Sequence, residues 1–342
     1  MRRRLHLLIA VGLGLFGGLA VLVFWGFAQF TRPGPLEQDT TIIVDRGGVE
    51  QVTRVLVDAG VLDHPVVFAL AVRLTGAAGR LKSGEYLFPA HIAMEDVARL
   101  LQSGKTVDRK LVVLEGMTTA EILRMLTDQA GFTGAQASAL EGELMPATYY
   151  YKYGDARPWM VQRMREEMRQ AVQELWAKRA QGLPFANPRE AVTLASIVEK
   201  ETARASERAR VAGVFINRLN KGMKLEADPT VAYAAANGQG RLDRPISKAD
   251  LAMKHPYNTY QAAGLPPGPI GNPGRAALAA VLNPDKHEDL FFVADGSGGH
   301  AFAKTLAEHQ KNVARWRQIE QQRNGQAPAT APAAARPSQA AN

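Results

Sequence analysis

The run from Leu7 to Phe30 constrains this chain more than any other feature. Its 24 residues carry no charge and one strongly polar side chain, Gln29. At about 1.5 Å per residue that is enough to cross a hydrocarbon core of about 30 Å as a helix. Arg2, Arg3 and Arg4 precede the run and only Arg32 follows closely. That asymmetry predicts residues 1–6 on the cytoplasmic side and the remainder outside. Trp25, Phe27 and Phe30 then fall near the outer interface, where aromatic rings prefer to lie. A cleaved leader has an apolar stretch of about 7–15 residues and a small-residue cleavage site. This run is longer and no clear Ala-x-Ala site follows it, so residues 7–30 read as a retained single-pass anchor.

Composition narrows the partners. The net charge of +8 suits work beside anionic lipid or an anionic polymer. The basic residues are scattered rather than striped, and an exported domain seldom meets nucleic acid, so no nucleic-acid partner is expected. With no cysteine, disulfides and thiolate metal sites are excluded. His287, His300 and His309 match no common ligand spacing, so neither a metal nor another cofactor is expected.

The fold class is α+β. Residues 31–39 read as a linker stiffened by two prolines. Strand-like runs at Thr41–Val44, Glu85–Phe88 and Lys110–Leu114 each lead into a helix. Those helices carry apolar pairs four apart with Arg54, Arg99 or Arg124 between them, and the arginines read as solvated positions. Residues 40–105 form a compact module and 106–322 a larger domain. Within the latter, helices are expected over 158–180, from 188, after Ser206 and over about 302–322, with a strand at Leu290–Ala294. The 222–300 stretch shows little helical period before Arg275 and is rich in Gly, Pro, Asn and Tyr. Loops of such length in compact domains are usually functional. Residues 323–342, rich in Ala, Pro and Gln, read as a disordered tail.

One helix stands out chemically. Asn187 suits an N-cap, Pro188 the first helical position, and Glu190 the acid of a capping box. Glu201 lies seven, four and three residues after Leu194, Ile197 and Val198, which puts it on their face. Glu199 is about 200° away around the same helix. A carboxyl among apolar side chains is held protonated near neutral pH and can donate a proton. A glutamate at a frayed helix end, paired with Arg204 or Arg208, has the same local pattern.

The ordered motifs resemble a known family. They are Leu194-Ala-Ser-Ile-Val-Glu-Lys-Glu-Thr202, Ser206-Glu207, Val214-Phe-Ile-Asn-Arg-Leu219, Asp228-Pro-Thr-Val231, Tyr233, Pro256-Tyr-Asn-Thr-Tyr260, Gly264-Leu-Pro-Pro-Gly268, Phe292-Val-Ala-Asp-Gly296, Gly299-His300-x-Phe302 and Glu308-His309-x-x-Asn312-Val313. In this order they are similar to the endolytic murein transglycosylases, the MltG or YceG-like group. The resemblance covers most of 40–320 and includes the single anchor.

It implies a LysM-like module over 40–105 and a mixed α/β lytic transglycosylase domain, with a lysozyme-like active site, over 106–322. It also implies an inner-membrane protein with its catalytic domain in the periplasm. Such enzymes cut peptidoglycan strands internally between N-acetylmuramic acid and N-acetylglucosamine, leave 1,6-anhydro ends, and are expected to work beside peptidoglycan synthases. The family's acid lies in the Glu-Lys-Glu-Thr motif and maps to Glu201, with Glu199 as the fallback. An ordinary glycosidase needs a second carboxylate. Here the substrate's own C6 hydroxyl is the nucleophile, so one glutamate serves as acid and then as base.

Asp228 and Thr230 are candidates for holding substrate, or for capping a helix that starts at Pro229. Tyr257, Asn258, Thr259 and Tyr260 fit a sugar-binding loop, with rings to stack on pyranose faces and an amide for hydroxyls. Asn217 either turns inward to orient Glu201 or outward to water. Glu143 lies in Glu141-Gly-Glu-Leu-Met-Pro-Ala-Thr-Tyr149, where Ala147 replaces the family's acid, so no second carboxylate comes from that position. A hydrolytic muramidase would need Glu199, Glu226 or Asp228 near Glu201. A non-catalytic wall-binding protein is the remaining reading, which the intact motifs disfavour.

Overall fold

The computed structural model describes residues 2–326, and these divide into two compact units. One comprises the residues up to 109 together with 150–155, the other residues 110–149 and those from 156 onward.

The first unit starts with helix α1 (Arg2–Thr31), of which His6–Thr31 is long and apolar enough to cross a membrane. Strand β1 (Thr40–Val44) pairs antiparallel with β2 (Gly84–Phe88), Thr40 opposite Phe88 and Val44 opposite Gly84. Between them run α2 (Val49–Asp58) and α3 (Pro65–Leu74), and α4 (Met94–Ser103) follows. The inward faces of these elements supply Val44, Val52, Leu56, Phe68, Val72, Tyr86, Phe88, Val97 and Leu101 to one core. In α2 and α4 the buried positions recur at three- and four-residue intervals, as an amphipathic helix against a sheet requires. Arg109 grips the buried Glu85 carboxylate with two nitrogens, at 2.6 and 2.9 Å. All three interposed arginines, Arg54, Arg99 and Arg124, are exposed, and Arg99 pairs with Glu95 and Asp96 of its own helix.

Strand β3 (Arg109–Val112) pairs with β4 (Thr148–Tyr151) in a second two-stranded sheet. The second unit is mainly helical, with α5 (Thr119–Asp128), α6 (Arg157–Ala177), α7 (Pro188–Glu201), α8 (Arg208–Asn220), α9 (Asp228–Ala235), α10 (Lys248–Ala252) and α11 (Arg275–Leu282). Helix α11 packs against α7 and α8, and α6 backs α7 and α11, so α7 lies at the middle of the core. The chain closes with the antiparallel hairpin of β5 (Phe291–Ala294) and β6 (His300–Ala303), then α12 (Leu306–Gln326).

Three expectations need correction. The last helix starts at Leu306, not 302, because His300 to Ala303 pair with β5 and bring His300 and Phe302 beside Phe292. The stretch from 222 to 274 contains α9 and α10, too short to register as a period. Helix α10 is started by a capping box, Ser247 Oγ accepting from the Asp250 N–H and Asp250 from the Ser247 N–H. Residues 323–326 continue α12, and the rest of the expected tail, 327–342, lies outside the described residues.

Candidate active site

Helix α7 carries Glu201, the expected acid, and its sequence accounts for its shape. The Asn187 side chain accepts from the Glu190 N–H at 3.2 Å, and Pro188 occupies the first turn. The Glu190 carboxylate accepts from the Ala186 N–H at 2.7 Å instead of closing a box on Asn187. Leu194, Ala195, Ile197 and Val198 are fully buried, so the helix is gripped on every side through its centre. It ends at Glu201. Thr202 turns extended, with φ −134° and ψ 126°, and its buried hydroxyl accepts from the Arg204 N–H.

Glu201 therefore projects from the last turn of a buried helix while staying partly open to solvent. Among the described residues its carboxyl makes no hydrogen bond or ion pair. Burial raises its pKa from 4.5 to about 8, the Asp228 carboxylate adds to the rise, and the Arg218 guanidinium opposes it. Its place at a helix C-terminus, the negative end of the dipole, acts in the same direction as burial. At neutral pH the group is mostly a carboxylic acid with a proton to give.

The groups around it come from three other segments, α8, α9 and the loop that carries Tyr260. Asp228, on the first turn of α9, is buried and accepts the Tyr260 hydroxyl at Oδ1, 2.6 Å away. Burial and then the Asp228 charge push the Tyr260 phenol upward, so it remains a donor at any physiological pH. Arg218 is buried on α8, where it follows Val214 and Phe215 by four and three residues on the core side. It donates to the carbonyls of Leu290, Lys224 and Leu225, and to the Glu226 carboxylate at 3.0 Å. Glu226 has a left-handed φ of 51°, a conformation uncommon outside glycine and stabilised here by that ion pair.

The fallback acid, Glu199, has a different setting. The Glu199 side chain is only 4% exposed and accepts from the Gly274 N–H at 2.9 Å and from Arg208 at 3.0 Å. Gly274 is the N-cap of α11, so Glu199 secures the start of that helix. A Cβ at Gly274 would meet the Glu115 carboxylate, which would have to swing aside.

Several expected substrate contacts are bonded to backbone groups. Asn217 donates to the carbonyls of His287 and Asp289 and thus holds that loop, rather than orienting Glu201. Asn258 is fully buried and donates to the carbonyls of Asp250, Leu251 and Met253. Thr230 and Thr259 are also fully buried, 2.9 Å apart at their hydroxyls. Thr230 gives its proton to the Ala227 carbonyl, and Thr259 accepts from the Ala227 N–H. These three clamp the loop to α9 and α10 and so place Tyr260 over Asp228, and all three are enclosed. Tyr257 is half-exposed, its ring 5.0 Å from that of Tyr233.

Two residues went unread. Arg218 could have been found by the helical periodicity that found Glu201. Glu141 could not, because its partners are remote: the Thr119 N–H, Asn272 and the Tyr233 hydroxyl. Burial raises its pKa too. Glu143 pairs with Arg165 and accepts from the Leu140 N–H. Among the described residues no group of three or more His, Asp or Glu is arranged to hold a metal.

Residues 42–315 match the model of the YceG-like family. The endolytic murein transglycosylase of Bacillus subtilis strain 168 is 30% identical over 315 residues, which cover 81% of this chain and 86% of that protein. The protein of the same name from Streptococcus pneumoniae serotype 2 strain D39 is 28% identical over 325 residues, 80% of this chain and 58% of its own length. A crystal structure of a YceG-like protein from Listeria monocytogenes is 29% identical, covering 80% of this chain and 99% of that one, with a TM-score of 0.49.

Proposed function

The chain belongs to the YceG-like family, and from that premise we propose that it is an endolytic murein transglycosylase cutting peptidoglycan strands with Glu201 as its acid. The observation that carries the assignment is the placement of Glu201, an unpartnered carboxyl at the end of a buried helix on a residue still partly open to solvent, where burial favours its protonated form. Glu201 gives its proton to the glycosidic oxygen as the bond from that oxygen to C1 breaks. The C6 hydroxyl oxygen of the same muramyl residue then bonds to C1, and its proton passes to the Glu201 carboxylate. The acid is regenerated, no water is consumed, and the new end is a 1,6-anhydro sugar.

Intramolecular attack needs orientation more than a second base. The Asp228–Tyr260 pair supplies a fixed negative charge, which favours both a protonated Glu201 and the positive charge that grows at C1. Tyr257 offers a ring face for a pyranose. Helix α1 acts as the membrane anchor, with the rest of the chain in the periplasm, and residues 40–105 act as the LysM-like module.

The nearness of Asp228 also supports a second reading, in which that carboxylate activates water and the enzyme is a muramidase. The two are told apart by weighing the products formed by the full-length protein from uncrosslinked glycan strands. Anhydro ends that vanish with Glu201→Gln are the expected result. Reducing ends, heavier by one water, would make the enzyme a hydrolase, and full activity in Glu201→Gln would remove Glu201 from the mechanism.

A further inference from the structure

Helix α3 has two apolar faces where one is enough. Phe68 and Val72 are fully buried in the core of the first unit. On the opposite side Val66, Leu70 and Leu74, four residues apart, are 77, 53 and 77% exposed. Its sole charged residue, Arg73, lies at the edge of that stripe and pairs with Glu50 of α2. A soluble module gains nothing from three large side chains in water along one ridge, and such a ridge marks a contact surface.

What covers the ridge follows from where the helix starts. His64, its N-cap, meets the Trp25 ring edge-on, with centroids 5.5 Å apart. Asp63 pairs with Arg32, and Phe30 packs against the module's core. Trp25 lies five residues before Phe30, the end of the apolar run, which is about 7.5 Å along a helix. The first turn of α3 thus stands beside the last turns of the span, at the depth where the bilayer interface lies.

We infer that α3 is an interfacial helix, its Val66-Leu70-Leu74 ridge set into the lipid surface beside α1. This rests on the reading of α1 as a membrane anchor. The contact holds the 40–105 module against the bilayer at a set orientation, which a single span on a flexible joint could not do.

The chain has no cysteine, so a single introduced thiol can carry an environment-sensitive fluorophore in the full-length protein. Probes at Leu70→Cys, Leu74→Cys, Arg54→Cys and Leu19→Cys would be compared in phosphatidylglycerol-containing vesicles. One quencher is carried near the top of the lipid acyl chains, a second near their ends, and a third is aqueous iodide. At positions 70 and 74 the shallow lipid quencher should act severalfold more strongly than at 54, with iodide weakened in proportion. The deep quencher should act on position 19. If 19 responds but 70 and 74 behave like 54, the ridge stands in water and the inference is wrong while the anchor stands. If 19 fails as well, both fall.

Discussion

Replacing Glu201 by Gln should abolish cleavage and at the same time stabilise the second unit, increasingly so as pH rises. Glu201 titrates near 8 in the folded chain against 4.5 when exposed. A raised carboxyl pKa contributes its full stability below the unfolded value, and that contribution is lost as pH rises toward the folded one. At one pKa unit per 1.36 kcal/mol, retaining the acid costs next to nothing at pH 4, about 3 kcal/mol at pH 7 and about 5 kcal/mol at pH 9. Solvent reaching the carboxyl lowers the last two figures, but not their order. Glutamine has nearly the same shape and no charge, so it escapes the cost. Urea unfolding of the full-length wild type and variant, followed by tryptophan fluorescence at these three pH values, measures the difference. The variant should match wild type at pH 4, exceed it increasingly from about pH 4.5 to about pH 8, and keep that advantage above. An equal difference at all three values, or a variant weaker at pH 9, would show that Glu201 is not a strained acid, and the catalytic argument would lose its footing.

Two other substitutions separate chemistry from support. Asp228→Asn removes a charge that helps raise Glu201, so the pH at which cleavage declines should move down; an unchanged pH profile would mean that the two carboxyls do not interact. Glu199→Gln loses the ion pair to Arg208 while retaining an acceptor for Gly274, so stability should fall by about 1–3 kcal/mol with activity per folded molecule preserved. Loss of activity without loss of stability would return Glu199 to the role of acid.

Much of the site's support was illegible for a definite reason. Thr230, Asn258 and Thr259 have the residue types expected of a sugar-binding loop, and no local pattern distinguishes a hydroxyl that faces a ligand from one enclosed against a backbone. Only their full burial and their bonds to Ala227 and the end of α10 decide it. Asn217 illustrates the same ambiguity: its helical position suggested either Glu201 or water, and its amide instead bonds the 287–289 loop.

By itself the sequence determined whatever depends on neighbours a few residues away. The uncharged run of α1, the Asn187-Pro188 start of α7 and the placing of Glu201 on the face of Leu194, Ile197 and Val198 all follow from helix geometry. The tertiary structure alone decided what surrounds that carboxyl, because desolvation and charge act through space. Asp228, Tyr260 and Arg218 arrive from α8, α9 and a loop, while Arg208 and Gly274 occupy Glu199 and leave Glu201 unpartnered.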